Sequence, residues 1–187
     1  MIMLAFSVLM SGMQAMSGAM APLKESPLFL EDIMSYVRFY RGDPEAPKPT
    51  RPIRLGSNVL LIYNDMLLLE KRADSDLWGL VGGGTKPHET TLDSIVREVF
   101  EELGLRIPKE QFLKLKIYDN PDRIAAYQDG SIWRMVIAAY KLELECMPEL
   151  KISKESKELR FFTRDEIRNI NIAVTHSDIV QELFLDK

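Results

Sequence analysis

Three glycines, Gly82-Gly83-Gly84, run within a few residues into a helix-forming segment that carries three glutamates. No other part of the chain restricts its fold as much. From Gly83 to Leu105 the sequence reads GGTKPHETTLDSIVREVFEELGL. This sets Gly83, Glu89, Arg97, Glu98, Val99, Glu101, Glu102, Gly104 and Leu105 in the pattern G-x5-E-x7-R-E-U-x-E-E-x-G-U, with U apolar. Seven fixed residue types would coincide at a given start with a chance of about 10⁻⁹ at ordinary residue usage, so the pattern calls for a physical reason.

A helix is expected from about Thr90 to Leu103, closed at Gly104 by a left-handed C-cap. At about 100° per residue, Glu98, Glu101 and Glu102 fall at i, i+3 and i+4 and share one face. Leu92, Ile95, Val96, Val99 and Leu103 gather on the other side and are expected to pack on a sheet. Like charges so placed on an exposed helix repel by a few tenths of a kcal/mol per pair. An acidic face alone is more often solvated surface. The glycine run and Arg97 in register with it point instead to a divalent cation that neutralises the cluster. Mg²⁺ prefers oxygen ligands and bridges carboxylates to phosphates. The glycines let backbone approach such a group closely. Arg97 cannot ligate a metal, but its fork suits a bidentate contact to a carboxylate, with Glu89 the candidate.

Elsewhere the chain divides into three stretches: 1–27 as an N-terminal extension, 28–53 as a short helix and linker, and 54–187 as the main domain. Residues 1–23 carry no charged side chain and scatter six methionines among Ser, Gly and Gln. They lack a basic region before an apolar run, and their polar residues dilute the roughly 20 apolar positions of a membrane span. An upstream start or loose extension is preferred over an uncleaved anchor, and secretion comes last. Phe29, Ile33, Tyr36, Val37 and Tyr40 fall at helical spacing. That helix reads equally as a dimerisation or lid element and as one docked on the domain's own surface. Pro44, Pro47, Pro49 and Pro52 then make an extended linker.

In the main domain, apolar runs at Asn58–Tyr63 and Met66–Lys71 flank Asn64-Asp65 as a tight hairpin. Strands are expected at Trp78–Val81, Phe112–Tyr118, Ile132–Glu143 and Glu158–Phe162, with a turn at Asp129-Gly130. A last helix should open at Thr175, with Asp178 as its capping partner, and run toward Phe184. Strands with helices interspersed irregularly imply a mixed-sheet α/β sandwich.

The 187 residues suit one domain with a real core, and 46% hydrophobic and 28% charged content are globular values. A net charge of −4 speaks against a nucleic-acid binder, whose affinity would come from clustered Lys and Arg. The single cysteine, Cys146, allows no intrachain disulfide, which fits a reducing, cytoplasmic setting, and it reads as a buried inert thiol near a strand end.

The segment Gly83–Leu105 resembles the signature of the Nudix hydrolase family. The resemblance implies an α/β/α sandwich with a mixed sheet, dependence on Mg²⁺ or Mn²⁺, and hydrolysis of nucleoside diphosphates linked to another moiety. It implies that Glu98, Glu101 and Glu102 and the Gly83 carbonyl hold metal, that Glu98 or Glu101 serves catalysis with Arg97, and that Arg97 and Glu89 shape the loop. Val81, Lys86 and His88 depart from common family choices at variable positions. Glu155 and Glu158 are candidates for an additional acidic residue. Substrate recognition is expected from the segment 119–130, with Arg123 suited to phosphate and Tyr127 to a base. The expected partner is a small nucleotide: a nucleotide sugar, an ADP-ribose-like compound, a nucleoside triphosphate or a dinucleoside polyphosphate. No nucleic acid and no stable membrane contact are expected, and a homodimer is compatible with the sequence. A non-catalytic ligand-sensing module should have a damaged signature, and this one is intact. An isopentenyl diphosphate isomerase would need a protonating cysteine, for which Cys146 lies too far along the chain.

Overall fold

The computed structural model describes residues 37–187. Its central element is β2 (Arg54–Tyr63), joined by Asn64-Asp65 to β3 (Met66–Arg72). Asn64 and Asp65 have φ of 47° and 58°, the two positive values that a tight turn between right-twisted strands demands. The turn sets the register at Tyr63↔Met66 and Ile62↔Leu67. The expected strand at 78–81 is split. Trp78–Gly79 (β4) pairs with β3, whereas Val81–Gly84 (β5) pairs with β2, so the chain changes partner at Leu80.

The helix α1 (Thr91–Leu103) follows, capped by Thr90, whose hydroxyl accepts from the Asp93 N–H while Asp93 reaches back. It ends at Gly104 with φ 74°, where the cap N–H reaches the Phe100 carbonyl. Then come β6 (Leu113–Tyr118), β7 (Ile124–Ala126), β8 (Ile132–Glu143) and β9 (Ser156–Phe162). β8 runs parallel to β2 from Arg54↔Met135 to Ile62↔Glu143, while the other pairings are antiparallel, so the sheet is mixed.

Alternation along β2 and β3 divides the apolar residues between two faces. Val59, Leu61 and Leu68 pack with Ile95, Val99 and Leu103 of α1. Leu60, Leu67 and Leu69 pack with Trp78, Phe162, Ile167, Ile179 and Phe184. The last three belong to α2 (Arg164–Ile167), α3 (Val174–Val180) and the wider π turn Gln181–Leu185. Burying each such side chain contributes roughly 1.5–3 kcal/mol, so both helical layers are held mainly by these clusters.

Several expectations are corrected. Arg38–Tyr40 is a strand, β1, paired with β7, and not the end of a helix. The remainder of that helix, at 28–36, lies outside the described residues, as does the extension before it. The 119–130 segment is not wholly a loop, because Ile124–Ala126 forms β7 between β1 and β8. The last helix starts at Val174 without a side-chain cap. Asp178 is drawn instead to the Arg123 guanidinium at 2.5 Å and to Arg41 at 3.1 Å, charge-assisted contacts that outcompete a backbone N–H. The capping box the sequence reading missed is Thr163 with Glu166, on α2. Cys146 is exposed, because the chain leaves the sheet at the end of β8 before reaching it. No helix among the described residues is long and apolar enough to cross a membrane.

Candidate functional site

Glu98, Glu101 and Glu102 share a helical face, but that face is not simply solvated. Burial against β5 leaves Glu98 at 8% exposure and Glu102 at 4%, while the Glu101 side chain stays half exposed. Burial pushes the Glu98 carboxyl above its usual range. It raises Glu102 well above, helped by the neighbouring charges of Glu70 and Glu98. Two carboxylates withdrawn from water carry a far larger penalty than the surface repulsion anticipated from helical spacing.

What offsets this is a set of fixed donors. The Gly82 N–H donates to Glu102 Oε2 at 3.1 Å. Arg97 forks onto Glu89 through Nε and Nη2, at 2.8 and 3.1 Å. Its Nη1 donates at 2.8 Å to both Glu98 and Glu101, and Nη2 also reaches the Gly84 carbonyl at 3.2 Å. The Arg97 contact holds the Glu89 carboxyl down at about 2, with the Lys86 N–H assisting. One guanidinium thus ties the loop, the helix and the glycine run into one unit.

Gly83 lies against the cluster. A Cβ there would stand 2.5 Å from Glu98 Oε1, so only glycine permits this approach of backbone to carboxylate. The donors so assembled are all oxygen, which suits Mg²⁺ or Mn²⁺ rather than a thiolate-seeking ion. Among the described residues, no three carboxylate, imidazole or thiolate groups already converge on one point. The glutamates are instead spread along Arg97.

These residues form one wall of a cleft of about 620 Å³. A second wall comes from distant segments: Arg54, Gly56 and Asn58 of β2, Phe39 of β1, Tyr127 after β7, and Met135 and Ile137 of β8. Thr175, His176, Arg72 and Asp74 complete the lining. His176 is enclosed, accepts the Leu80 N–H at Nδ1 (3.1 Å), and is held down at about 3 by burial and the charges of Arg72 and Arg123.

The structure sorts the other sequence candidates. Glu155 lines the cleft, close enough for its charge to help raise Glu98. Glu158 is exposed on β9 opposite Lys71 and is not in the lining. Tyr127 lines the cleft, with its ring beside the Arg54 guanidinium. Arg123 does not face it. At 0% exposure its guanidinium donates to the Thr175 carbonyl and Asp178, bracing α3 against the residue that leads into β7, away from the cleft lining. His88 is exposed, with φ 74°. Sequence reasoning passed over Arg54 and His176. The signal for Arg54 was there: Arg54, Gly56 and Asn58 recur at period two at the start of a strand whose later residues are apolar.

The family model described as the NUDIX domain matches residues 52–183. Over 74 residues the chain is 38% identical to the m7GpppN-mRNA hydrolase NUDT17 of Bos taurus, covering 36% of this chain and 24% of that protein. Over 98 residues it is 26% identical to the nucleoside triphosphatase NudI of Enterobacter sp. (strain 638), covering 51% of this chain and 67% of that one. It thus spans about a quarter of the first relative's length and two thirds of the second's. It is also similar, at 26% identity and a TM-score of 0.61, to a bifunctional NMN adenylyltransferase/ADP-ribose pyrophosphatase of Francisella tularensis complexed with AMP and manganese. That match covers 74% of this chain and 43% of the other.

Proposed function

The chain belongs to the NUDIX domain family, and from that premise we propose that it is a divalent-metal-dependent hydrolase of a phosphoanhydride bond. Its substrate is a small nucleoside diphosphate derivative: a nucleotide sugar, an ADP-ribose-like compound or a nucleoside triphosphate. One observation carries this reading most: Arg97 gathers Glu89, Glu98 and Glu101 beside a glycine run that lies at contact distance from Glu98. A solvated surface has no need of such an arrangement.

In this reading Glu98, Glu101, Glu102 and the Gly83 carbonyl hold Mg²⁺ or Mn²⁺, which supplies charge neutralisation at phosphate and a more acidic water. Arg97 keeps the carboxylates in register, and Glu89 fixes Arg97 in turn. Glu101, the most accessible of the three carboxylates on α1, would accept a proton from water or orient it, a role its exposure supports. Glu155, which lines the same cleft near enough to raise Glu98, is a further acid.

A panel of ADP-ribose, nucleotide sugars, dGTP, diadenosine polyphosphates and a capped oligonucleotide, run with Mg²⁺ and Mn²⁺ and then with chelator, tests this directly. Turnover of a mononucleotide derivative, abolished by chelator, is the expected result. Faster turnover of the capped oligonucleotide than of every small nucleotide would replace the substrate assignment, and no turnover of any member would remove the activity.

A further inference from the structure

The cleft contains four cationic side chains, and three are already engaged by carboxylates. Arg97 holds Glu89, Glu98 and Glu101. Arg72 is paired with Glu70 at 3.2 Å and with Asp74 at 2.6 Å. Lys86 lies 3.6 Å from Glu101. The fourth is Arg54, and among the described residues it has no carboxylate partner. Its contacts are the Tyr127 hydroxyl, which accepts from Nη1 at 3.1 Å, and the rings of Tyr127 and Trp133, whose centroids lie 5.4 and 5.8 Å from its guanidinium carbon. Rings and a hydroxyl orient a guanidinium without neutralising it.

Its position makes that charge useful. A Cβ on Gly84 would stand 3.1 Å from Arg54 Nε and Nη2, and the same Gly84 offers its carbonyl to Arg97. Along the glycine run, Glu98 therefore adjoins Gly83 and Arg54 adjoins Gly84. A group spanning these two glycines meets the carboxylate wall at one end and an unneutralised guanidinium at the other. An anhydride-linked pair of phosphates is such a group: one phosphate is served through the oxygen-donor wall, and the next needs a cation from the protein.

We infer that Arg54 receives the second phosphate of a diphosphate-containing ligand and makes this cleft selective for diphosphates over monophosphates, with Tyr127 as the residue that positions its guanidinium. The inference deepens the hydrolase reading and rests on it for the first phosphate only. It also accounts for the cleft-lining side of β2, where Arg54 is followed at period two by the buried Gly56 and Asn58. The two small residues leave room, and the one long side chain supplies charge.

The test separates binding from turnover. Calorimetric titration of the full chain in Mg²⁺ with ADP, supplied as its α,β-methylene analogue so that the P–C–P bridge cannot be hydrolysed, is compared with titration by AMP. Wild type, Arg54→Ala, Arg54→Lys and Tyr127→Phe are measured together with their melting curves. Arg54→Ala should weaken ADP by about tenfold or more, as loss of a charge-assisted phosphate contact implies, while changing AMP far less. Arg54→Lys should recover part of that loss, because it restores charge but not the fork. Tyr127→Phe, which keeps the ring and loses the hydroxyl, should fall between wild type and Arg54→Ala. On the substrates that the wild type cleaves, the loss in kcat/KM should be carried mainly by KM.

Equal ADP affinity in wild type and Arg54→Ala overturns the inference, and so does an equal loss for ADP and AMP. If Arg54→Ala fails to fold, Arg54→Lys and Tyr127→Phe decide on the same criterion. ADP binding that depends on Arg54 in a protein that cleaves nothing sinks the hydrolase reading and keeps the inference. Cleavage with unchanged KM and ADP affinity across the variants does the reverse.

Discussion

The two walls of the cleft are built in different ways. The carboxylate wall comes from 23 consecutive residues, Gly83–Leu105, organised by one guanidinium and one capped helix. The second wall gathers residues from β1, β2, β8 and the turn after β7, and its positive charge comes from Arg54. The first can be assembled by local folding, and its members constrain one another through shared hydrogen bonds. The second exists only once the sheet is complete, and beyond the Arg54–Tyr127 contact its members are not tied by one shared group. Under the proposed function, the chemistry is held by one local segment and the selectivity by residues that the fold assembles.

The largest effect that would break this contrast lies on the carboxylate wall. Glu101→Gln and Glu102→Gln keep side-chain size and helix propensity while each removes one negative charge. Turnover should fall 10²–10³-fold, about 2.7–4 kcal/mol of transition-state stabilisation. The melting temperature should not fall, because like-charge repulsion is relieved and a glutamine carbonyl at 102 can still accept from Gly82. Wild-type turnover in both variants at saturating Mg²⁺ would turn this wall into ordinary surface.

The next effect concerns stability and sharpens the other wall's boundary. Arg123→Met removes the buried guanidinium that bridges β7 to α3. Breaking an enclosed ion pair typically costs about 3–5 kcal/mol. Here the expected loss is about 2–3 kcal/mol, since Asp178 keeps Arg41 and is a third exposed. A drop in the urea midpoint with KM little changed supports a bracing role. A tenfold rise in KM without loss of stability would return Arg123 to the substrate.

The same contrast explains what could be read from the sequence. The helix at Thr91–Leu103, its Gly104 cap, the Asn64-Asp65 turn and the long strand at Ile132–Glu143 are local patterns, and the structure has them where the spacing puts them. The three glutamates on one face were legible for the same reason. Their burial was not, because it depends on β5 arriving beside α1. Arg123 was read as a phosphate ligand because a lone arginine in a polar segment looks free until α3 brings Asp178 to it. Arg38–Tyr40 has the apolar spacing of a helix, and only its pairing with β7 makes it a strand. Asp178 was read as a cap because Thr175 lies three residues before it, yet tertiary charge pairing took it.

The smallest expected effect lies in the lining of the cleft, where His176 touches both stories through Leu80. Its Nδ1 accepts the Leu80 N–H just ahead of the glycine run, so the ring must be neutral there. Burial is the main cause that lowers its pKa from 6.5 to about 3, with the charges of Arg72 on β3 and Arg123 before β7 adding to it and Asp178 on α3 opposing. Between pH 3 and 6.5 the unfolded chain therefore binds the proton more readily than the folded one. The stability due to neutral His176 is fully present above about pH 6.5 and is lost as pH falls toward 3. From pH 7.5 to 5.5 that loss amounts to about 1 kcal/mol. The raised Glu70 and Glu102 act with the opposite sign, stabilising on acidification, so the wild-type slope alone does not isolate the histidine. His176→Asn does, because its amide oxygen can take the place of Nδ1 as acceptor but does not titrate. Urea unfolding at both pH values should show the wild type losing about 1 kcal/mol more than His176→Asn over this interval. Parallel losses in the two proteins would mean that His176 is protonated in the fold, and that Leu80 is held by something other than its ring.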